Sequence, residues 1–148
     1  KQAAVSADPD SVIARTAIVY GPKTNNFATW LVGELSAAKP VRIVRDQWVT
    51  PTHTKDLVEQ VLALVAADAH GIYHTAGGEG CSRLEMAQAI ATTFHLPAKF
   101  ITPVDSQDLQ WVARRPRHSR LATEKIAKLK TPFTLAEALP TLKGELAR

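Results

Sequence analysis

Short apolar runs alternate with segments of helical periodicity along this chain, and that alternation limits the fold more than any other feature. Residues 11–20 are nearly all apolar, which is typical of a strand covered on both faces. Residues 26–38 and 54–67 carry apolar side chains at three- and four-residue spacing, which predicts two helices. Strands are predicted at 41–44 and 71–75. The order predicts an α/β fold with mostly parallel strands.

Two capping boxes place later helices. Ser82 and Glu85 predict a helix start, and Thr134 and Glu137 predict a second one, for a final helix over 135–146. The segments between them are predicted as a strand over 99–104, a helical turn within 106–113, a basic loop over 114–120 and a short helix over 123–130.

The composition fits a single globular domain over residues 1–148, since no linker or repeat divides the chain. The net charge of +4 permits an anionic ligand without requiring nucleic acid. No apolar run approaches the roughly 20 residues of a membrane span. A single cysteine, Cys81, excludes an internal disulfide and favours the cytoplasm.

The first residues, Lys1 to Val5, resemble the end of a helix. We therefore expect the chain to be the later part of a larger enzyme that lacks its cofactor-binding front half. Its strands would extend a sheet begun elsewhere, and an open sheet edge favours pairing. The expected partner is the missing half or a second copy in a homodimer.

Several kinds of site are disfavoured. The Gly-rich turn Gly77-Gly78-Glu79-Gly80 lacks the spacing of a dinucleotide loop, and Glu79 would repel phosphate, so a simple helix-entry turn is favoured. The five histidines show no metal-ligand spacing, and no nucleophile elbow is present. Cys81 has no evident base partner, which favours a structural role.

A basic run over 114–120 holds four arginines in seven residues. Planar guanidinium groups bind phosphates well, and Pro116 stiffens the backbone beside Arg115, while Ser119 adds a donor. A solvated loop explains the same run equally well. Nucleic-acid binding is weaker, because Trp111 is the one aromatic platform nearby.

A polar loop over 46–52 follows a predicted strand, as ligand loops of α/β proteins do. Asp46 and Gln47 offer polar groups. An ordinary strand-to-helix connection, with Thr52 or Thr54 as the N-cap, accounts for the loop as well.

Seven motifs occur in an order that resembles the C-terminal part of the dTDP-4-dehydrorhamnose reductase family, which belongs to the extended short-chain dehydrogenase/reductases. They are Arg15 to Gly21, Asn26-Phe27, Asp46-Gln47 with Pro51-Thr52, Asp56-Leu57, Gly71 to His74, Ser82 with Glu85, and Arg115-Pro116 with Ser119 and Leu121.

The resemblance implies the C-terminal portion of a Rossmann-like fold, with late parallel strands and a small substrate-binding subdomain. It implies reduction of the 4-keto group of a nucleotide sugar with NADPH or NADH. The family's Tyr-x-x-x-Lys pair is not in this chain, so no catalytic residue is assigned. No cofactor is expected to bind this chain alone.

The resemblance also assigns binding roles. Arg15 and Tyr20 belong to the strand that would run past the nicotinamide, and Arg115 would neutralise the diphosphate. The implied substrate-binding residues are Ile18, Asn26, Gln47, Pro51, Thr52, Arg115 and Ser119.

Three departures from the family pattern concern the substrate. Ile18 stands where the rhamnose reductases usually have Trp, Val49-Thr50 replaces Gly-Ser, and His118 replaces a common Asn. These departures leave open that the substrate is a different nucleotide sugar. They also keep open a non-catalytic regulatory protein on the same fold, like the methionine adenosyltransferase β subunit. A nucleic-acid-binding module is the third hypothesis.

Overall fold

The computed structural model describes Asp8 and residues 10–23, 25–113 and 115–148. The predicted helix end at Lys1–Val5 therefore lies outside the described residues, as does Arg114 of the basic run. The strands and helices, in chain order, are β1 Val12–Arg15, β2 Val19–Tyr20, α1 Phe27–Ser36, β3 Val41–Val44, β4 Trp48–Val49, β5 Thr52–His53, α2 Thr54–Ala66, β6 Gly71–His74, β7 Cys81–Ser82, α3 Arg83–Thr93, β8 Ile101–Val104, β9 His118–Ser119, α4 Glu124–Ala127 and α5 Leu135–Leu146. Two short 3-10 helices, Ala98–Phe100 and Ser106–Asp108, flank β8.

The strand pairings are mostly parallel, as predicted. Among the described residues, β1 pairs with β6, β2 with β5, β3 with β8 and β4 with β9, all in parallel register. The β4–β7 pair is antiparallel. The α/β prediction is confirmed, because the strands alternate with helices and join through crossovers.

The prediction of one strand over residues 11–20 is wrong. The run breaks into β1 and β2 at Ile18, whose φ of 42° lies in the left-handed region that disfavours branched side chains. The break lets β1 pair with β6 while β2 pairs with β5. Burial on both faces is also not found in this chain, since Val12 and Val19 are each 39% exposed.

Helix α2 turns a largely polar face inward. Its buried residues are Asp56, Gln60 and Leu64, whereas the apolar stripe that includes Val58 and Leu62 is exposed. One oxygen of Asp56 accepts hydrogen bonds from Gln60 Nε2 at 2.8 Å and from the Phe133 amide at 3.0 Å. The buried carboxylate therefore ties α2 to the segment before α5.

The start of α2 differs from the expectation. His53 is the N-cap, and its Nδ1 accepts the Lys55 amide at 3.3 Å. Thr52 is instead occupied elsewhere, because its hydroxyl donates to the Ala17 carbonyl at 2.7 Å. Thr54 is already the first helical residue.

The core lies where α1, α3 and α5 pack together and against β3. Both predicted capping boxes are present, at Ser82 with Glu85 and at Thr134 with Glu137, so the starts of α3 and α5 are confirmed. The fully buried side chains of this cluster include Leu31, Leu35, Met86, Ile90, Leu139 and Leu142.

Candidate functional site

A cavity of about 120 Å³ lies between α1, β3 and the start of α3. Three of its lining residues are arginines and three are aromatic. We call it the arginine cavity, and its lining residues are Phe27, Trp30, Arg42, Ile43, Val44, Gln47, Arg83, Leu109, Trp111 and Arg115.

A wider cleft of about 980 Å³ adjoins the arginine cavity, and we call it the outer cleft. Leu109, Trp111 and Arg115 line both spaces. The remaining walls of the outer cleft come from the segments 106–107, 113 and 116–117. Its volume lies at the upper end of the usual range for small-molecule sites, roughly 300–1,000 Å³.

The charge of this region is one-sided. Of the described residues that line the two spaces, none carries a carboxylate, while Arg42, Arg83, Arg115 and Arg117 supply guanidinium groups. Arg115 lies 5.0 Å from the centre of the Trp111 ring, and Arg83 lies 5.3 Å from that of Phe27. Guanidinium groups that lie over aromatic rings are well placed to bind an anion.

Gln47 is the most buried polar group in the arginine cavity. The residue is 4% exposed, and its Nε2 has no hydrogen-bond partner among the described residues. Its main-chain oxygen accepts the Arg83 amide at 2.9 Å, which joins the loop after β3 to α3. A buried amide donor without a partner carries a desolvation cost that an acceptor on a ligand would remove.

Asp46 fixes the loop that carries Gln47. One of its oxygens accepts the Ser106 amide at 2.9 Å and the other accepts the Ser106 hydroxyl at 2.6 Å. The hydroxyl bond is the main reason that the pKa of Asp46 lies below its usual value. The loop is therefore held to the wall of the outer cleft by a carboxylate that stays ionised.

Three predicted site residues lie along the β2–β5 pair and do not line the arginine cavity: Ile18, Pro51 and Thr52. Thr52 is buried and its amide donates to the Ile18 carbonyl at 3.1 Å. Pro51 is buried too, and its carbonyl oxygen lies so close to Gly77 that a Cβ there would collide with it. Their substrate-binding roles stay predictions.

The two predicted cofactor residues are apart from each other. Arg15 Nη1 lies 3.2 Å from His74 Nε2, across the β1–β6 pair. Tyr20 is 1% exposed and its ring packs edge-on against His53 at 5.4 Å. Burial, and then the nearby Asp56, raise the pKa of Tyr20 well above its usual range. Contact of either residue with a cofactor stays a prediction.

Asn26 and Ser119 already hold structural positions. Asn26 is the N-cap of α1, where its Oδ1 accepts the Ala28 amide at 3.0 Å and its Nδ2 donates to the Gly21 carbonyl at 2.8 Å. The Ser119 hydroxyl donates to the Trp48 carbonyl at 3.2 Å. Of the seven predicted substrate residues, the structure brings Gln47 and Arg115 to one cavity.

Arg83 also lines the cavity, although its place between Ser82 and Glu85 predicts no more than a helix start. It is the first residue of α3. The N-terminal end of a helix favours negative groups, so an arginine there works against the helix dipole. This placement does not by itself make Arg83 a binding residue, but its position in the lining of the cavity makes it a candidate.

The glycine turn is occupied by the protein itself. Gly78 donates its amide to the Phe133 carbonyl at 2.8 Å, and the Glu79 carboxylate accepts the Leu135 amide at 2.8 Å. The turn therefore joins α5 to the rest of the fold and does not fit a pyrophosphate. Burial raises the pKa of Cys81 to about 11, which agrees with a structural cysteine.

The described residues contain no group of three or more His, Cys, Asp or Glu side chains that could hold a metal ion. None of the helices in the described ranges is both long and apolar enough to cross a membrane.

The fold is that of the Rossmann-like short-chain dehydrogenase/reductases. A crystal structure of a dTDP-4-dehydrorhamnose reductase from Clostridium acetobutylicum superposes with a TM-score of 0.88 and is 27% identical, over 99% of this chain and 53% of that one. Residues 1–144 match the model of the RmlD substrate binding domain, and the chain belongs to that family. The resemblance inferred from the sequence is confirmed.

Two curated relatives differ in their described roles. The spore coat polysaccharide biosynthesis protein SpsK of Bacillus subtilis is 34% identical, over 76% of this chain and 39% of its own length. Methionine adenosyltransferase 2 subunit beta of Pongo abelii is 34% identical, over 61% of this chain and 30% of its own length. The chain thus spans less than half of either relative.

Proposed function

We propose that this chain is the sugar-nucleotide-binding part of an NAD(P)-dependent reductase that reduces the 4-keto group of a nucleotide sugar. The observation that carries the proposal is the arginine cavity, where Gln47 and Arg115 meet aromatic side chains and none of the described lining residues is acidic. Phosphate groups need cationic donors, and a base or sugar ring packs on apolar and aromatic surface.

The binding roles follow from position. Arg115 binds the diphosphate, and Trp111 supports its guanidinium. Gln47 donates its free amide to an oxygen of the ligand, and the outer cleft takes the rest of the molecule. Ile18, Pro51 and Thr52 form a wall toward the sugar. Asn26 and Ser119 are the remaining residues of the proposed substrate-binding set.

The cofactor chemistry belongs to the intact protein. A bound nicotinamide supplies the hydride, and Arg15 and Tyr20 would lie on its side of the fold. The described residues of this chain do not fit the pyrophosphate of the cofactor, because the glycine turn is filled by the protein's own carbonyl groups. We assign no catalytic residue to this chain.

Partners and location belong to the same proposal. Val12, Val19 and Ile72 expose apolar surface at the β1–β6 and β2–β5 pairs, which suits burial against another part of the intact protein or a second copy. Residues 1–148 form one substrate-binding unit. With one cysteine and a soluble substrate, the cytoplasm is the proposed location.

Calorimetric titration of the intact protein with a dTDP-hexose tests the binding role. Arg115→Met should weaken binding by about tenfold or more, since a charge-assisted contact contributes about 1.5–3 kcal/mol. Arg45→Met is the matched control, because Arg45 is exposed and paired with Asp105 at 2.8 Å. Unchanged affinity in Arg115→Met would refute the diphosphate role.

Turnover separates the reductase from the regulatory alternative. The reductase should oxidise NADPH or NADH in the presence of a 4-keto nucleotide sugar, followed by nicotinamide absorbance. Tight binding of the sugar nucleotide with no turnover in the intact protein would favour a non-catalytic binding protein.

A further inference from the structure

Arg83 lies in the first turn of α3, with its guanidinium over the Phe27 ring at 5.3 Å. It lines the arginine cavity together with Arg115. The side chain is only partly exposed, so its charge has lost much of its hydration. Burial lowers the pKa of Arg83 from its usual value, and the positive charge of Arg115 lowers it further. Arg83 and Arg115 thus bring two like charges into the lining of one cavity.

Apart from the Phe27 ring, no group among the described residues compensates this charge. Among the described residues, Arg83 has neither a carboxylate within ion-pair distance nor a side-chain hydrogen-bond partner. Lys130, another partly buried cation, shows the contrast, because its Nζ lies 3.6 Å from Asp56 and 3.3 Å from Glu59. A desolvated cation without a partner is costly to the fold. The cost is removed when an anion binds beside it.

The other polar groups of the cavity point to the same kind of ligand. Gln47 contributes a buried amide donor with no partner among the described residues. The Arg42 guanidinium already has one hydrogen-bond partner, because its Nη2 donates to the Asp108 carbonyl at 3.2 Å. The cavity thus holds three side-chain groups without an acceptor among the described residues: the guanidiniums of Arg83 and Arg115 and the amide of Gln47. All three are hydrogen-bond donors. A ligand with several acceptor oxygens and two negative charges matches this set.

We propose that Arg83 is a second cationic ligand for the diphosphate, so that Arg83 and Arg115 hold the two phosphoryl groups together. The proposal rests on the proposed function and adds a specificity to it. A diphosphate satisfies both guanidiniums, whereas a monophosphate satisfies one and leaves the other buried without a partner. The site therefore selects nucleoside diphosphate sugars over nucleoside monophosphates.

Calorimetric titration of the intact protein with three probes tests this assignment: a dTDP-hexose, dTMP and inorganic pyrophosphate. Arg83→Met should weaken binding of the dTDP-hexose and of pyrophosphate by about tenfold, as expected for loss of one charge-assisted contact. Binding of dTMP should change by less than about threefold, since Arg115 alone meets its phosphate. Arg83→Lys should fall between wild type and Arg83→Met, because it keeps the charge but loses the fork.

The Arg45→Met control and thermal unfolding of the variants show whether a loss of affinity comes from misfolding. Arg45→Met should leave all three affinities unchanged. The thermal midpoint of Arg83→Met should stay close to that of wild type, because removal of a partly buried charge that has no carboxylate partner offsets the lost contact with Phe27. Equal losses for dTMP and the dTDP-hexose would overturn the assignment, and so would no loss for either.

The two proposals can fail separately. If Arg115→Met weakens the dTDP-hexose and Arg83→Met does not, the assignment of Arg83 is wrong and the proposed function stands. If the dTDP-hexose does not bind but pyrophosphate binds in an Arg83-dependent way, the proposed function is wrong and the diphosphate site stands. If none of the three probes binds to the wild type, both are wrong.

Discussion

Asp46 and Ser106 hold the loop that presents Gln47 to the arginine cavity. Both oxygens of Asp46 accept hydrogen bonds from Ser106, one from the amide and one from the hydroxyl. The pKa of Asp46 is lowered by that hydroxyl bond first, and Arg117 adds to the effect at 3.6 Å. The charge of a single carboxylate therefore supports the geometry of the site.

Ser106→Ala should raise the pKa of Asp46 toward its ordinary value of about 3.9. Because the folded pKa is lowered, the hydroxyl bond stabilises the fold fully above about pH 4, and this contribution is lost as pH falls through the folded pKa. The carboxyl titration of Asp46 by NMR, with urea unfolding at several pH values, measures both effects.

Ser36→Ala is the control, because Ser36 is exposed at the end of α1. An Asp46 titration identical in Ser106→Ala and wild type would show that the hydroxyl does not set this pKa.

Cys81 should alkylate slowly. With a pKa of about 11, raised first by burial and then by Glu85 and Glu79, its thiolate is scarce near neutral pH. At pH 7.5 the thiolate is on the order of one molecule in a few thousand. The rate of iodoacetamide modification, followed by mass spectrometry, should still be rising at pH 10. A plateau near pH 9, as for a free thiol, would contradict the burial of this group.

Three helices end in the same way, and none of them uses glycine. After α1, the Lys39 amide donates to the Glu34 carbonyl at 3.0 Å and the Ala38 amide to Leu35 at 3.1 Å. Asp68 after α2 and His95 after α3 take the same left-handed conformation as Ala38. Glycine normally occupies this left-handed position at the end of a helix, so these three helix ends are strained.

Ala38→Gly should stabilise the protein by about 0.5 to 1 kcal/mol, since it relieves a φ of 55° at an exposed position. The free energy of unfolding in urea measures the gain. Ala37→Gly is the matched control, because its φ of −83° is ordinary and glycine there should give no gain. Equal effects of the two changes would contradict a strained helix end.

These ends also show where the sequence is informative about elements. The starts of α3 and α5 are predictable because Ser82 and Thr134 carry side chains that cap in one way. The break at Ile18 is not predictable, because an isoleucine in an apolar run indicates a continuous strand. Its positive φ lies at the junction where the chain leaves the β1–β6 pair and enters the β2–β5 pair, and these pairings join segments that are distant in the sequence.

The candidate site, like the strands and helices, is predictable from the sequence only in part. Arg115 and Gln47 were predicted from the family resemblance, and the structure brings them to one cavity. Arg83, Arg42 and Trp30 were not predicted, because their neighbourhood depends on how α1, α3 and β3 pack. A single sequence gives helix faces and loop chemistry, but it does not give the contacts between distant elements.

In the molecule as a whole, three helices form the core, and several small sheets with mostly parallel strands lie around them. The apolar stripe of α2 and the apolar residues of β1, β2 and β6 remain exposed, which is unusual for a finished surface. Family relatives are about twice as long as this chain or longer. Ten described residues of this chain, by contrast, line the arginine cavity.

A crystal structure of the intact protein with a bound dTDP-hexose would show whether the arginine cavity holds the diphosphate. We expect phosphate oxygens within hydrogen-bond distance of Arg115 and Arg83, with the Gln47 amide donating to the ligand. A dTDP-hexose bound elsewhere, for example in the apolar groove of about 550 Å³ lined by Gly21, Lys55 and Val58, would contradict it.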